Sequence, residues 1–533
     1  MQRILNAFML HGLPLEKICR IARKSGCVGL SLETSQLDHP ELDDLLSRNN
    51  LSLTAVGAVF LSVDQTDLSA LECLLQTASA YHVPTVFCVL RSGSVSGDHV
   101  LLRAQDLCSR LHTLGERYGI CICLEPLSSA MSHISPLCDP VQLLSLCQGK
   151  DPRWFGWTLD LCHCAHWPFG SPVLKQLAPY LRTVHLADLP DGSINQNDRL
   201  FPEEGSLPLF DMFGQLRSLG FDGPVELEVI SSAIAAMPDE MLIEKITRSF
   251  LCTSNCFAAG ELAVHQFLGT DRDFSAVGGS AGMVSTQLQE LGIQPMLAGL
   301  CGSDASGRWL CENTRSIAFE VRCQPNRETS LVRLKSDKPD HPEIQAGNTD
   351  ISLLAAVIDR MPNSDAWIYL PFFPGYETLE AVSRNKTRWK RILDFGFYQW
   401  CGNYEILLSQ LYRTAPGFCA LINAKNMSQQ QKLQLGDAFI RHGYQYAILT
   451  DRTEPVWLIS AGECRSFPIQ PAHPLRDTCG AGDCMVAGIM ASLSRGSSMA
   501  DALAFGMTVS KNKVQTYGIW RASNHGRSND QPE

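Results

Sequence analysis

No long lysine or arginine run occurs in this chain, and its 44 Lys+Arg fall short of its 55 Asp+Glu, leaving a formal net charge of -11. Such a balance repels nucleic-acid phosphates and anionic lipid headgroups, so neither nucleic acid nor membrane is an expected partner. Long apolar runs are missing too. The opening MQRILNAFMLHGLPLEK is too short in its apolar stretch to cross a bilayer, and it has no small-residue cleavage site. A cytoplasmic protein is therefore expected. No internal repeat appears, and the two halves do not resemble each other. Paired cysteine motifs of the zinc-finger kind are also lacking. Cys121/Cys123 and Cys162/Cys164 alternate along apparent strands without a second paired set, so they do not make a zinc site.

Cysteine itself is abundant. The count of 21 is odd and is spread through apolar runs such as Cys121-Ile122-Cys123. That distribution implies buried free thiols in a reducing compartment rather than a disulfide framework. Hydrophobic residues make up 45% and charged residues 19% of the 533, which is ordinary for a soluble globular protein. The length suits two large α/β domains better than one.

The first half alternates short β-rich runs with amphipathic stretches. Strands are expected at 27–33, 53–59, 85–90, 120–125, 155–160, 183–188 and 225–230, with an eighth at 3–8. Helical stretches such as LEKICRIARKSG and LRAQDLCSRLHTLGERYG each end in glycine, a good C-cap. Eight strands alternating with helices predict a closed parallel barrel. The stretch 239–255 reads as a last barrel helix running into a linker, and a new strand begins at Cys256. Gly-rich turns, a β-rich stretch at 331–335 and a helical region from Gly480 to about Tyr517 follow. The predicted domains are 1–250, 251–525 and a polar tail, 526–533.

Glu125, Asp160, His185 and Glu228 fall at the ends of four different expected strands. Strand ends of a parallel barrel converge on one face, where active sites lie, so residues remote in sequence would meet there. One such acid alone is usually a cap or a solvated group. Four in order at barrel-unit spacing point to a site. Three carboxylates and an imidazole suit a divalent cation, Mn²⁺, Mg²⁺, Co²⁺ or Zn²⁺, without choosing among them.

These residues lie within Glu125-Pro126, Asp160 followed by His163, His185 with Asp188, Asn197-Asp198-Arg199 leading to Glu204-Gly205, and Phe221-Asp222-Gly223-Pro224 leading to Glu228. With them, the first 245 or so residues resemble the xylose-isomerase-like TIM-barrel family of sugar isomerases, epimerases and inosose dehydratases. The resemblance implies Glu125, Asp160, His185 and Glu228 as metal ligands, and His163, Arg199 and Asp188 on the substrate side. Glu226, on the same strand face, is the rival to Glu228. It also implies Glu125 and Glu228 as an acid/base pair that moves a proton beside a ketone carbonyl. Return of the proton to the opposite face gives an epimer, and return to the neighbouring carbon an isomer; loss of a hydroxyl makes a dehydratase. Met131 stands where epimerases of this group often carry a second Glu. An abasic-site endonuclease on the same fold needs more ligands and a basic surface, which the charge opposes.

In the second half, DTCGAGD at 477–483 precedes an apolar helical run. Small residues at a helix N-terminus let backbone N–H groups approach a phosphate. Gly480, Ala481 and Gly482 are the expected anion hole, and Asp483 the acceptor of an attacking hydroxyl's proton. Together with Gly278-Gly279-Ser280-Ala281, LQELG, and Gly302-Ser303-Asp304-Ala305-Ser306-Gly307, this motif resembles the PfkB-type (ribokinase-like) carbohydrate kinases over about 255–520. The resemblance implies an α/β sandwich with a small β lid, ATP, Mg²⁺, and sugar contacts at Gly278 and Gly279. Three positions depart from that family. His265 replaces the first-strand acid, Met283 the sugar-binding Asn, and Asp451-Arg452-Thr453-Glu454-Pro455 the Gly-x-x-Gly near the nucleotide.

The expected function is a sugar (or sugar-phosphate) isomerase or epimerase fused to a sugar kinase, acting on a sugar or polyol-derived small molecule. The alternative is an isomerase, epimerase or dehydratase whose second domain binds without catalysing. Both resemblances are compatible with a homodimer.

Overall fold

In the computed structural model, residues 1–94, 99–192, 199–269, 273–335, 342–371, 386–395, 416–425, 427–452 and 454–519 are described. The chain separates into two compact units, Met1–Thr253 and Ser254–Glu533. The expected tail, 526–533, lies outside the described residues.

The first unit is a closed barrel of eight parallel strands in sequence order. They are β1 (Gln2–Asn6), β2 (Gly29–Leu32), β3 (Ser52–Ser62), β4 (Thr85–Arg91), β5 (Cys121–Leu124), β6 (Phe155–Asp160), β7 (Leu181–Leu186) and β8 (Pro224–Leu227). Every expected strand is present, shifted by a few residues at its ends. Several helices between them end where the sequence provides a left-handed residue: Leu15–Lys24 is followed by Gly26 at φ 73°, and His99–Tyr118 by Gly119 at φ 70°. Inside the barrel, Ala55, Phe87, Cys121 and Cys123 form a small apolar cluster, and the Phe87 ring meets His185 edge-on at 4.9 Å. Cys121 and Cys123 thus fill the barrel interior, and every described cysteine is a free thiol.

The second unit is a layered α/β structure. The expected strand from Cys256 is broken at Leu262 into β9 (Cys256–Glu261) and β10 (Ala263–Leu268), which join different sheets. Gly279, at φ 75°, permits the close approach: a Cβ there would stand 2.4 Å from the Glu261 carbonyl oxygen. The remaining strands are β11 (Phe274–Gly278), β12 (Pro295–Gly302), β13 (Ala318–Gln324), β14 (Ser330–Lys335), β15 (Glu343–Gln345), β16 (Ala366–Pro371), β17 (Trp389–Asp394), β18 (Cys419–Asn423), β19 (Tyr446–Asp451), β20 (Glu454–Ser460) and β21 (Glu463–Phe467). The large sheet runs β13-β12-β9-β16-β17-β18-β19-β20-β21, and the small one β11-β10-β14-β15. The C-terminal helical region is two helices, Ala481–Ser494 and Met499–Lys513, with Gly496 at φ 86° in the turn between them.

No helix among the described residues is long and apolar enough to cross a membrane.

Candidate functional site

Side chains alternate along a strand, so an inward residue at each strand's C-terminal end points into the barrel mouth. Glu125 directly follows β5, Asp160 ends β6, His185 is next to last in β7 and Glu228 directly follows β8. All four are buried, and one donor atom from each lies within 4.8 Å of the others. His185 Nδ1 is 3.0 Å from Glu125 Oε1 and 3.5 Å from Glu228 Oε2.

Two of the expected substrate-side residues join this group. Arg199 Nη1 donates to Asp160 Oδ2 at 2.8 Å and to Glu228 Oε2 at 2.9 Å, and Nη2 lies 3.3 Å from His163 Nε2. The backbone N–H of His163 donates to Asp160 Oδ1 at 2.8 Å. Asp188 is placed apart. Its carboxylate accepts from the backbone amides of Leu189, Gly205 and Leu207 at 2.8, 3.2 and 2.9 Å, so it organises the loop after β7 instead of facing the cluster. Met131 sits half-buried on a 3-10 turn, Ser129–Met131, after β5. Asn197 and Asp198 lie outside the described residues. Asn6, unremarked in the sequence, donates from Nδ2 to Glu228 Oε1 at 3.1 Å. Its only sequence signal is its position as the last residue of the first strand.

Glu226 stands on the far side of His185. Its Oε1 accepts from the Thr183 hydroxyl at 3.0 Å, and its Oε2 faces His185 Nε2 at 3.4 Å. Neither of those two facing atoms has a better-aligned hydrogen-bond partner among the described residues.

Burial opposes charge throughout this pocket, and neighbouring charges overcome it. Against burial, Glu228 and Glu125 hold His185 well above the ordinary imidazole pKa. Asp160, likewise opposed by burial, is held below the usual carboxylate range by Arg199, His163 and His185. Burial also acts on Glu228, whose pKa is lowered by His185 and Arg199.

A divalent cation fits this charge balance. Four buried carboxylates (Glu125, Asp160, Glu226, Glu228) face two cationic groups, His185 and Arg199. Buried carboxylates left uncompensated are costly. Glu226 behind His185 would keep a proton on Nε2, so a cation displacing the Nδ1 proton would meet that nitrogen's lone pair aimed at the pocket. Histidine ligands to metals are oriented in this way.

In the second unit, Gly480 adopts the left-handed conformation at φ 76° and caps the helix Ala481–Ser494, so Gly480, Ala481 and Gly482 do form a turn at a helix N-terminus. The first N–H groups of such a helix have no partner within it. Asp483, in the first turn, faces two groups the sequence did not reveal. The Tyr369 hydroxyl donates to Asp394 Oδ2 at 2.9 Å and lies 3.4 Å from Asp483 Oδ1. Burial, with Asp394 adding to it, pushes the Asp483 carboxyl up to about 7. Lys513 supports the turn from behind: its ammonium pairs with the Asp477 carboxylate and donates to the Asp477 carbonyl at 2.9 Å, and both residues are buried.

The positions that depart from the kinase pattern are close-packed. A Cβ on Gly278 would stand 2.0 Å from the His265 ring, and one on Gly480 would stand 2.0 Å from Met283 Cε. His265 and Met283 are buried, so the two side chains fill the space beside both glycines. Burial, with the charge of Lys513, pushes His265 down to about 4, so the ring is neutral at pH 7. In the 451–455 segment, Asp451 pairs with Lys432 at 2.6 Å, Arg452 takes φ 47°, and Thr453 lies outside the described residues.

Residues 20–249 match the family model described as xylose isomerase-like TIM barrel, and residues 414–523 match that of the pfkB family carbohydrate kinases. The two matches fall in the order the motifs implied, the first over most of the first unit and the second over the C-terminal part of the second unit. No curated protein matches it in sequence. Among solved structures, aminoimidazole riboside kinase from Salmonella enterica, complexed with aminoimidazole riboside and an ATP analog, is 18% identical with a TM-score of 0.42, over 50% of this chain and 95% of that one. Ribokinase of Arabidopsis thaliana, complexed with ribose and ATP, is 17% identical with a TM-score of 0.40, over 50% and 94%. The IOLI protein with a binding zinc atom is 18% identical with a TM-score of 0.41, over 48% and 98%.

Proposed function

We propose that the barrel (residues 1–250) is a metal-dependent isomerase or epimerase of a sugar, sugar phosphate or polyol-derived ketone, and that the second domain (251–525) phosphorylates a related sugar. The observation that carries the first part is the convergence of Glu125, Asp160, His185 and Glu228 on one point, with Glu226 behind the imidazole. A divalent cation held by the four would polarise a carbonyl and its neighbouring hydroxyl. Glu125 or Glu228 removes the proton from the adjacent carbon, and either carboxylate returns it. Arg199 and His163 bind substrate oxygens, and a cation held by Asp160 and Glu228 would free Arg199 from the bridge between them. With purified chain and a panel of ketoses, solvent deuterium should enter the carbon beside the carbonyl, stop on chelation and resume on adding metal. Exchange indifferent to chelation would reject the mechanism. Net loss of water, seen by mass, would move the assignment to a dehydratase.

Glu226→Gln should weaken divalent-metal affinity by roughly 10–100-fold while sparing the fold, because it unsettles the His185 proton. Isothermal titration with Mn²⁺ measures this, and unchanged affinity would remove Glu226 from the design.

For the second domain, ATP with Mg²⁺ would supply the phosphoryl group at the Gly480–Gly482 turn. Asp483 accepts the proton of the attacking hydroxyl, so it must be ionised. A carboxyl with its pKa raised to about 7 is neutral below that pH and a base above it, so phosphorylation should rise with pH through about 7. Asp394→Asn removes a neighbouring negative charge and should shift that limb to lower pH. A profile flat from about pH 5 to 8 would contradict the assignment.

A second reading, a non-catalytic binding domain, is favoured by one observation: His265 and Met283 occupy the space beside Gly278 and Gly480. Coupled ADP release over a sugar panel separates the two. Turnover that falls by roughly 10²–10⁴ in Asp483→Asn supports the kinase, and no Asp483-dependent turnover supports the binding domain.

A further inference from the structure

Three sulfurs of the second unit converge at a place the chemistry above does not use. Cys301 on β12 and Cys323 on β13 are register partners in a parallel pair, so their side chains leave the same face of the sheet. Cys311 reaches that face from the helix Ala305–Thr314. The Sγ atoms of Cys311 and Cys323 are 2.9 Å apart, those of Cys301 and Cys323 3.4 Å, and those of Cys301 and Cys311 3.9 Å. Cys301 is buried, whereas Cys311 and Cys323 are half-buried and reachable from outside. Cys121 and Cys123 differ: those two sulfurs, 3.8 Å apart, lie in the barrel core with no third ligand among the described residues.

With sulfur about 2.3 Å from zinc, two tetrahedral ligands stand about 3.8 Å apart. The three sulfurs approach that spacing: Cys301 and Cys311 already match it, and the pairs at 2.9 and 3.4 Å must each open by less than an ångström. Soft thiolate sets select Zn²⁺ and Cu⁺ over Mg²⁺ or Ca²⁺.

We propose that Cys301, Cys311 and Cys323 form a three-thiolate site for a thiophilic d¹⁰ cation, Zn²⁺ or Cu⁺. On binding, the thiols release their protons to solvent and three metal–sulfur bonds form. Water can complete a zinc site, and a trigonal Cu⁺ site needs no fourth ligand. The ion pins the helix to β12 and β13 immediately before the Gly302–Gly307 turn, which Asp304 organises by accepting from the Gly307 amide at 2.8 Å and the Thr329 hydroxyl at 2.6 Å.

The test uses the reduced, metal-stripped full chain titrated with Co²⁺, whose thiolate complexes give a near-ultraviolet charge-transfer band that carboxylate and imidazole ligands do not. The band should saturate at one ion per chain and be displaced by Zn²⁺. It should fall at least tenfold in Cys311→Ser and Cys323→Ser and stay intact in Glu228→Gln, which separates this site from the barrel. In the unmutated chain, Zn²⁺ should also slow alkylation of Cys311 at least tenfold. No thiolate band, a band that survives both serine variants, or alkylation indifferent to Zn²⁺ would each overturn the proposal. A Cys311–Cys323 disulfide in protein purified under reducing conditions would overturn it in favour of a redox pair.

Discussion

Glu228→Gln should lower solvent-deuterium exchange at the substrate carbon by roughly 10²–10⁴-fold, the usual worth of a positioned general base. The loss has two sources that can be separated. Gln keeps the shape and can still accept from Asn6, but it cannot take the proton, and it donates where Glu228 accepted from Arg199. If Glu228 acts only as a metal ligand, excess metal restores exchange. If it also carries the proton, saturating metal restores binding and leaves exchange low. Full activity without added metal would remove Glu228 from both roles.

The barrel was readable because its signals are periodic. Eight apolar runs at barrel-unit spacing, separated by helical stretches, several with a glycine stop, leave few alternatives. The four candidate ligands were readable for the same reason, since each sits at a strand end and strand ends share one face. What the sequence could not give is direction and contact. Glu226 and Glu228 share a strand face, and only the three-dimensional position of His185 between them separates their surroundings. Asp188 sits in the motif beside His185, yet three backbone amides claim its carboxylate. Asn6 belongs to no motif. In the second unit, DTCGAGD located the turn at the helix N-terminus. Tyr369, Asp394 and Lys513, which contact that turn or its Asp483, come from elements with no local signature. The break at Leu262 was hidden because CFAAGELAVHQF has no proline or turn pair and reads as one strand.

Lys513→Met should destabilise the second unit by about 3–5 kcal/mol, because it strands a charge that burial makes expensive. Asp477 is 2% exposed and Lys513 fully buried, and their contact ties the last helix to the residues preceding Gly480. The Asp477 carboxylate also accepts from the Cys479 amide at 2.9 Å and the Gly518 amide at 3.2 Å, so those bonds would have to hold an uncompensated anion. Urea unfolding of the full chain, followed by a probe in the second unit, should show its transition move while the barrel's stays in place. The double variant Asp477→Asn, Lys513→Met should recover much of the loss, since removing both charges removes the stranded one. A shift under about 1 kcal/mol for Lys513→Met would mean that the pair is solvated and supports nothing.

The proposed barrel chemistry needs one cation gathered by Glu125, Asp160, His185 and Glu228. The direct measurement is anomalous diffraction from crystals of the full chain soaked in Zn²⁺. One peak is expected in the barrel mouth, about 2.0–2.2 Å from a carboxylate oxygen of each acid and from Nδ1 of His185, with the Arg199 guanidinium moved off the bridge between Asp160 and Glu228. An empty barrel mouth with Arg199 still bridging the two carboxylates would contradict it.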